Sequence, residues 1–173
     1  MKLTELFLGE LEREARVTRK ALEAVPDAVA PEWVPHPKSM QFGYLVNLVA
    51  AMPTWVNLTI EQDELDLNPP EGKGHRPEPL RTSAELVKAF DENVEKARDA
   101  LQKTTDEHLL TTWKLLFGGR VVSEEPRHIV LRDSVFNHLA HHRGQLTVYL
   151  RLNDAPVPAI YGPSADDNPF APK

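Results

Sequence analysis

Proline decides where this chain can be helical. Pro26, Pro31, Pro35 and Pro37 break one region, Pro69, Pro70, Pro77 and Pro79 a second, and Pro156, Pro158, Pro163, Pro169 and Pro172 the C-terminal end. Each ring removes a backbone donor and pushes the preceding residue out of the α region. The tail is therefore expected to be extended, and the first break to be an ordered linker around Trp33. Between the breaks, apolar residues recur at helical spacing. Residues 4–24 place Phe7, Leu11, Ala15, Thr18, Leu22 and Val25 on one face, with Glu10, Glu12, Arg13, Arg16 and Arg19 mostly off it, the pattern of an amphipathic helix.

Ser39 is a reasonable N-cap for a second helix over 40–60, apolar nearly all the way round through Leu45, Val46, Leu48, Val49, Met52, Trp55 and Val56. Pro53 lies inside it, and its ring clashes with the Val49 carbonyl, so this helix should bend. Residues 62–81 have almost no apolar content and read as a loop of about 20 residues, a length typical of a lid or a connection. Thr82-Ser83-Ala84-Glu85 is a capping box that opens a third helix with core residues Leu86, Ala89, Phe90, Val94, Ala97 and Leu101. The β-prone stretch 111–122 folds back at Gly118-Gly119, where both residues can take positive φ, and so predicts a small hairpin. After Pro126 a fourth helix runs over 127–153. The expected fold class is all-α: one four-helix bundle spanning residues 1–173, with a small β-hairpin before the last long helix and an extended Pro-rich tail.

Composition narrows the chemistry. A chain of 173 residues suits one domain, and the absence of cysteine excludes disulfides, thiolate metal sites and a Cys nucleophile. Any sulfur chemistry must come from a bound small molecule. A net charge of −6 argues against nucleic acid as a partner, because duplex affinity depends on Lys and Arg displacing counterions. No apolar run is long enough to cross a membrane, and the N-terminus lacks the pattern of a secretory signal. A cytoplasmic protein is expected.

On a wheel at about 100° per residue, with Leu131 at zero, His138 falls near −20°, His142 near 20° and Tyr149 near 0°. Two imidazoles one turn apart on an apolar stripe can both reach one cation, the spacing bundle interiors use for metals. The alternative is a pair of core histidines kept neutral by hydrogen bonds to neighbouring helices. His141 projects near −80°, at the stripe's edge, and Arg143 near 120°, well off it. Gly144 costs about 1 kcal/mol relative to Ala in a helix interior, which suggests close approach of a neighbouring backbone. Gln145 can bond a group behind a metal ligand or satisfy a buried carbonyl. The acidic run Glu61, Asp63, Glu64 and Asp66 reads as a solvated loop face. Trp55 and Trp113 read as packing, and His36, His75, His108 and His128 as loop or surface residues.

The stretch Asn137-His138-Leu139-Ala140-His141-His142-Arg143-Gly144-Gln145-Leu146, continuing through Tyr149-Leu150-Arg151 and Val157-Pro158-Ala159-Ile160-Tyr161-Gly162-Pro163-Ser164-Ala165-Asp166, resembles the C-terminal signature of the DinB-like (DinB/YfiT) proteins. Trp33-Val34-Pro35-His36-Pro37-Lys38-Ser39-Met40 resembles the loop before their second helix, and the likeness covers nearly the whole chain. The resemblance implies an up-down-down-up four-helix bundle, often a homodimer, holding a divalent metal, usually Zn or Ni, on three histidines. Two of these match His138 and His142. The third position, on the second helix, is Asn47 here, a poorer ligand than imidazole for such ions.

Two functions emerge as expectations. Related members include metal-dependent transferases that join a low-molecular-weight thiol, of the bacillithiol, mycothiol or glutathione type, to a small electrophile. On that reading His138, His142 and Asn47 hold the metal while Gln145 and Tyr161 shape the substrate pocket. The alternative is a non-catalytic bundle with a degenerate metal site, acting as a ligand-binding or interaction protein. Asn47 is then a buried amide bonded to backbone.

Overall fold

A computed structural model describes residues 2–69, 79–168 and 170. His75 and the middle of the expected 62–81 loop lie outside them. The helices are α1 (Leu3–Glu23), α2 (Phe42–Ala51), α3 (Thr54–Glu61), α4 (Ser83–Lys103), α5 (Asp106–Leu109), α6 (Arg127–Val130) and α7 (His138–Leu152). A π-helical stretch, Leu131–Asn137, joins α6 to α7. The strands are β1 (Glu64–Asp66), β2 (Thr112–Phe117) and β3 (Arg120–Pro126), ordered β1-β2-β3 in one sheet. The protein is thus mostly helical with a small three-stranded sheet.

Local chemistry explains most boundaries. The expected bend falls at Pro53, which separates α2 from α3. The capping box forms at α4: the Glu85 amide donates to Thr82 Oγ1 at 3.2 Å and the Thr82 amide to Glu85 Oε2 at 3.0 Å. The start of α1 is capped from afar, because the Asp106 carboxylate accepts from the amides of Leu3 (2.9 Å) and Thr4 (3.0 Å). A carboxylate on the positive end of a helix dipole is doubly favoured there.

The core gathers Phe7 and Leu22 of α1, Leu45 and Val49 of α2, Leu86 and Phe90 of α4, and Leu139 and Leu146 of α7, all at most 3% exposed. Each such side chain contributes about 1.5–3 kcal/mol by leaving water. Phe7 stacks on Phe136 with ring centroids 5.8 Å apart, fixing α1 against the π-helical stretch. The Pro-rich linker is ordered, as expected. Trp33 packs edge-on against Tyr149 at 5.5 Å, whose hydroxyl donates to the Met40 carbonyl at 3.0 Å. Gly43 is required there: a Cβ on it would lie 2.8 Å from Pro31 Cβ.

Three expectations need correction. The last of the four expected helices is interrupted by the π-helical stretch, and the short α5 is added to the set. The 62–81 segment is not all loop: β1 pairs in parallel with β2, Leu65 opposite Leu115. Its acidic run is partly employed, since Asp66 accepts from the amides of Gly118 (2.9 Å) and Gly119 (2.7 Å). Those contacts pin the expected turn, in which both glycines have positive φ, 61° and 76°. Asp63 pairs with the 1%-exposed Arg127, whose guanidinium also donates to the carbonyls of Thr59, Gln62 and Thr112. One buried cation thereby ties the end of α3 to β2 and to the start of the last helical run.

Candidate functional site

His138 opens α7 immediately after the π-helical stretch. Each π turn takes up one residue more than an α turn, and such insertions recur at functional sites. The stretch also rotates the helix beyond it. The buried residues of α7 are Leu139, His142, Arg143, Leu146, Tyr149 and Leu150, so the apolar stripe is centred between His142 and Arg143 rather than on the two histidines. His142 is buried, His138 is half-buried at the stripe's edge, and Arg143, expected off the stripe, is 1% exposed.

The two imidazoles meet directly. Nε2 of His138 lies 2.7 Å from Nε2 of His142. The outer nitrogen of each ring faces an oxygen: His138 Nδ1 is 3.3 Å from the Ser134 carbonyl, and His142 Nδ1 is 2.8 Å from Gln145 Oε1. Carbonyl oxygens only accept, so each of these contacts is a hydrogen bond in the tautomer that carries the hydrogen on Nδ1, whereas a hydrogen on one Nε2 makes the short contact a direct N–H···N bond between the rings. Neutral rings that both carry it on Nδ1 turn two lone pairs toward each other across the short gap. A cation between them, a proton or a metal ion, removes the repulsion; so does rotation of the Gln145 amide, which would offer His142 a donor instead. Trp55 closes one side, its ring edge-to-face with His138 at 5.5 Å. Burial, reinforced by the proximity of His142 and His141, holds the His138 pKa below its ordinary value and keeps the ring neutral, the form that binds metals.

The donor set fits a divalent metal at these two positions. Two nitrogens on one tetrahedral ion with bonds near 2.1 Å are about 3.4 Å apart, so the rings need open only slightly to receive one. Asn47 is differently engaged. Its Nδ2 donates to the carbonyls of Gly43 (2.8 Å) and Leu80 (2.9 Å), and its Oδ1 accepts from the Leu80 amide (2.8 Å). As a ligand it would have to loosen this clasp. No group of three or more His, Cys, Asp or Glu side chains converges for a metal among the described residues.

Gln145 acts on His142 through that hydrogen bond. Tyr161 lies elsewhere. Its hydroxyl bonds Arg143 and donates to Glu14 Oε2 at 2.8 Å, while the Arg143 guanidinium stands 5.0 Å from the Tyr161 ring centroid. Arg143 also pairs with Glu14 at 2.7 Å and donates to Thr18 Oγ1 at 2.8 Å. This cluster fastens the tail to α1 and α7, about 100° round the helix from His142. Sequence reasoning missed it because the wheel was phased on Leu131, ahead of the π-helical stretch; phasing on Leu139, Leu146 and Leu150 turns Arg143 inward. His108 and His128 bond the carbonyls of Ile60 (2.9 Å) and Leu109 (3.2 Å), and His36 Nδ1 accepts from the Lys38 amide at 3.1 Å, all structural contacts.

Comparison with known proteins places this chain in a family. The DinB family model matches residues 1–169. The chain belongs to the DinB family. A crystal structure of a DinB-like protein from Bacillus cereus is similar with a TM-score of 0.69 and 26% identity, covering 91% of this chain and 97% of that one. A DinB-like protein from Bacillus subtilis matches with a TM-score of 0.61 and 19% identity over 85% of this chain and 91% of that one, a likeness of fold. No curated protein matches significantly.

Proposed function

We propose that the chain is a metal-dependent thiol S-transferase-like protein in which His138 and His142 hold a divalent transition ion, Zn or Ni. The observation that supports this reading is the meeting of the two Nε2 atoms at 2.7 Å, with the outer nitrogen of each ring set against an oxygen. When bound, such an ion lowers the pKa of a ligating thiol and so supplies a thiolate near neutral pH. The chain's own residues set the geometry. The Ser134 carbonyl orients His138, Gln145 orients His142, and burial keeps His138 unprotonated.

The thiol comes from outside, since the chain has no cysteine, and its sulfur forms a bond to an electrophilic carbon whose leaving group departs with the bonding electrons. In this proposal Asn47 contributes weakly to the metal, Gln145 shapes the pocket through His142, and Tyr161 serves it only from the tail. The rods run up-down-down-up, and the working form is a cytoplasmic homodimer. The second reading, a non-catalytic bundle that binds a ligand or partner, is favoured by one observation: the three backbone bonds of Asn47 leave the family's third ligand position engaged.

A conjugation assay separates the two. Protein supplied with excess Zn²⁺ or Ni²⁺ is incubated with bacillithiol, mycothiol or glutathione and a panel of electrophiles. The transferase reading expects turnover with at least one thiol that is lost in His142→Ala. Absence of turnover at saturating metal with all three supports the non-catalytic bundle.

A further inference from the structure

Trp55 stands against His138 with ring centroids 5.5 Å apart and planes at 65°, an edge-to-face contact. Two irregular turns bring the rings together. Pro53 divides α2 from α3, and just past it the amides of Trp55 and Val56 bond carbonyls three residues back, those of Met52 (3.0 Å) and Pro53 (3.1 Å), a turn tighter than α. On the facing element the π-helical stretch Leu131–Asn137 is wound wider than α and ends immediately before His138. Each departure turns the residues beyond it about the helix axis, so the meeting of the two rings depends on both.

His138 needs such support more than its neighbour does. Nδ1 of His142 is 2.8 Å from Gln145 Oε1, whereas Nδ1 of His138 is 3.3 Å from the Ser134 carbonyl, longer than a good bond of that kind. His142 is also buried, at 4% exposed, while His138 is half-buried and has fewer walls to restrain it. Trp55 is itself packed against the core, which makes it a firm stop. We propose that Trp55 is a positioning residue for the metal site: its ring holds the His138 imidazole with Nε2 turned toward Nε2 of His142. The benefit to metal binding rests on the proposed function, because a ring already oriented loses less freedom on ligation; the orientation itself does not.

The test compares the full native chain with Trp55→Phe and Trp55→Leu, each stripped with EDTA, studied by NMR and then titrated with Zn²⁺. In the metal-free native chain the Trp55 ring should show NOEs to the ring protons of His138 and displace their resonances. Trp55→Leu should move the imidazole nitrogen resonances of both His138 and His142 as the short Nε2 contact loosens. Trp55→Phe keeps an aromatic ring and should leave them near their native positions. Calorimetry should then show Zn²⁺ binding weakened about three- to tenfold in Trp55→Leu and by less than about twofold in Trp55→Phe. A residue that served packing alone would lower the Tm of Trp55→Leu but leave the imidazole resonances and the affinity of the folded protein unchanged, and that result would overturn the proposal. So would the absence of NOEs between Trp55 and His138 in the native chain, a measurement that requires no variant to fold. If the native chain takes up no Zn²⁺ yet the metal-free resonances respond as expected, the metal reading fails and the positioning stands. Native uptake that Trp55→Leu matches, with unmoved resonances, sinks the positioning alone.

Discussion

Asn47 and Leu80 clasp each other through a reciprocal pair of hydrogen bonds, the Leu80 amide to Oδ1 at 2.8 Å and Nδ2 to the Leu80 carbonyl at 2.9 Å. A third bond, to the Gly43 carbonyl at 2.8 Å, completes the amide. One side chain thus secures the residue just ahead of α4 to the middle of α2. The same position that the family resemblance assigns to a metal ligand here carries a structural duty.

That duty has a measurable size. Asn47→Ala leaves a part-buried amide and carbonyl of Leu80 without their partner and should destabilise the chain by about 1–3 kcal/mol, read from urea unfolding midpoints. Asn47→His gives up the clasp as well, but adds an imidazole. It should be less stable than the native chain without metal and recover in the presence of Zn²⁺, as binding to the folded state requires. Recovery in Asn47→Ala to the same extent would show that position 47 is no part of the site.

Gly144 admits no neighbour. A Cβ built on it meets nothing within 4 Å, so the close backbone approach expected from the sequence is absent among the described residues. Gly144→Ala should therefore stabilise α7 by up to about 1 kcal/mol through helix propensity alone. A rise in Tm checks it; a fall would mean that this glycine serves an unseen contact.

Asp106 links acid stability to α1. Hydrogen bonds from the Thr4 and Leu3 amides hold its pKa below the ordinary carboxylate value. A depressed folded-state pKa contributes stability that is present above the unfolded value of about 3.9 and is lost as pH falls through the folded one. Asp106→Asn should then lower stability at pH 7 yet flatten its decline between about pH 4 and pH 2. Circular-dichroism melts across that range test the slope; equal slopes in both proteins would discount the cap.

Much of this architecture was legible in the sequence because its signals are local. The proline breaks among the described residues, the Thr82–Glu85 capping box and the Gly118-Gly119 turn each act within a few residues and appear where expected. What escaped depends on long-range pairing or on a change of helical pitch. β1 is only Glu64–Asp66, too short for an alternation signal, and it exists because β2 offers it an edge. The π-helical stretch leaves no mark in apolar spacing, so one wheel cannot phase both Leu131 and Arg143. The histidine pair was visible as an i, i+4 spacing, whereas the partners that orient its rings differ in kind. Gln145 is a side chain that the sequence could flag; the Ser134 carbonyl is backbone and could not be.

The convergence of His138 and His142 on a cation is tested most directly by calorimetric titration of Zn²⁺ into protein made and purified without nickel resin and stripped with EDTA. The native chain should bind about one equivalent weakly, and His142→Ala should bind none, with folding of the variant confirmed by circular dichroism. Equal uptake of Zn²⁺ by the native chain and a folded His142→Ala would contradict the site.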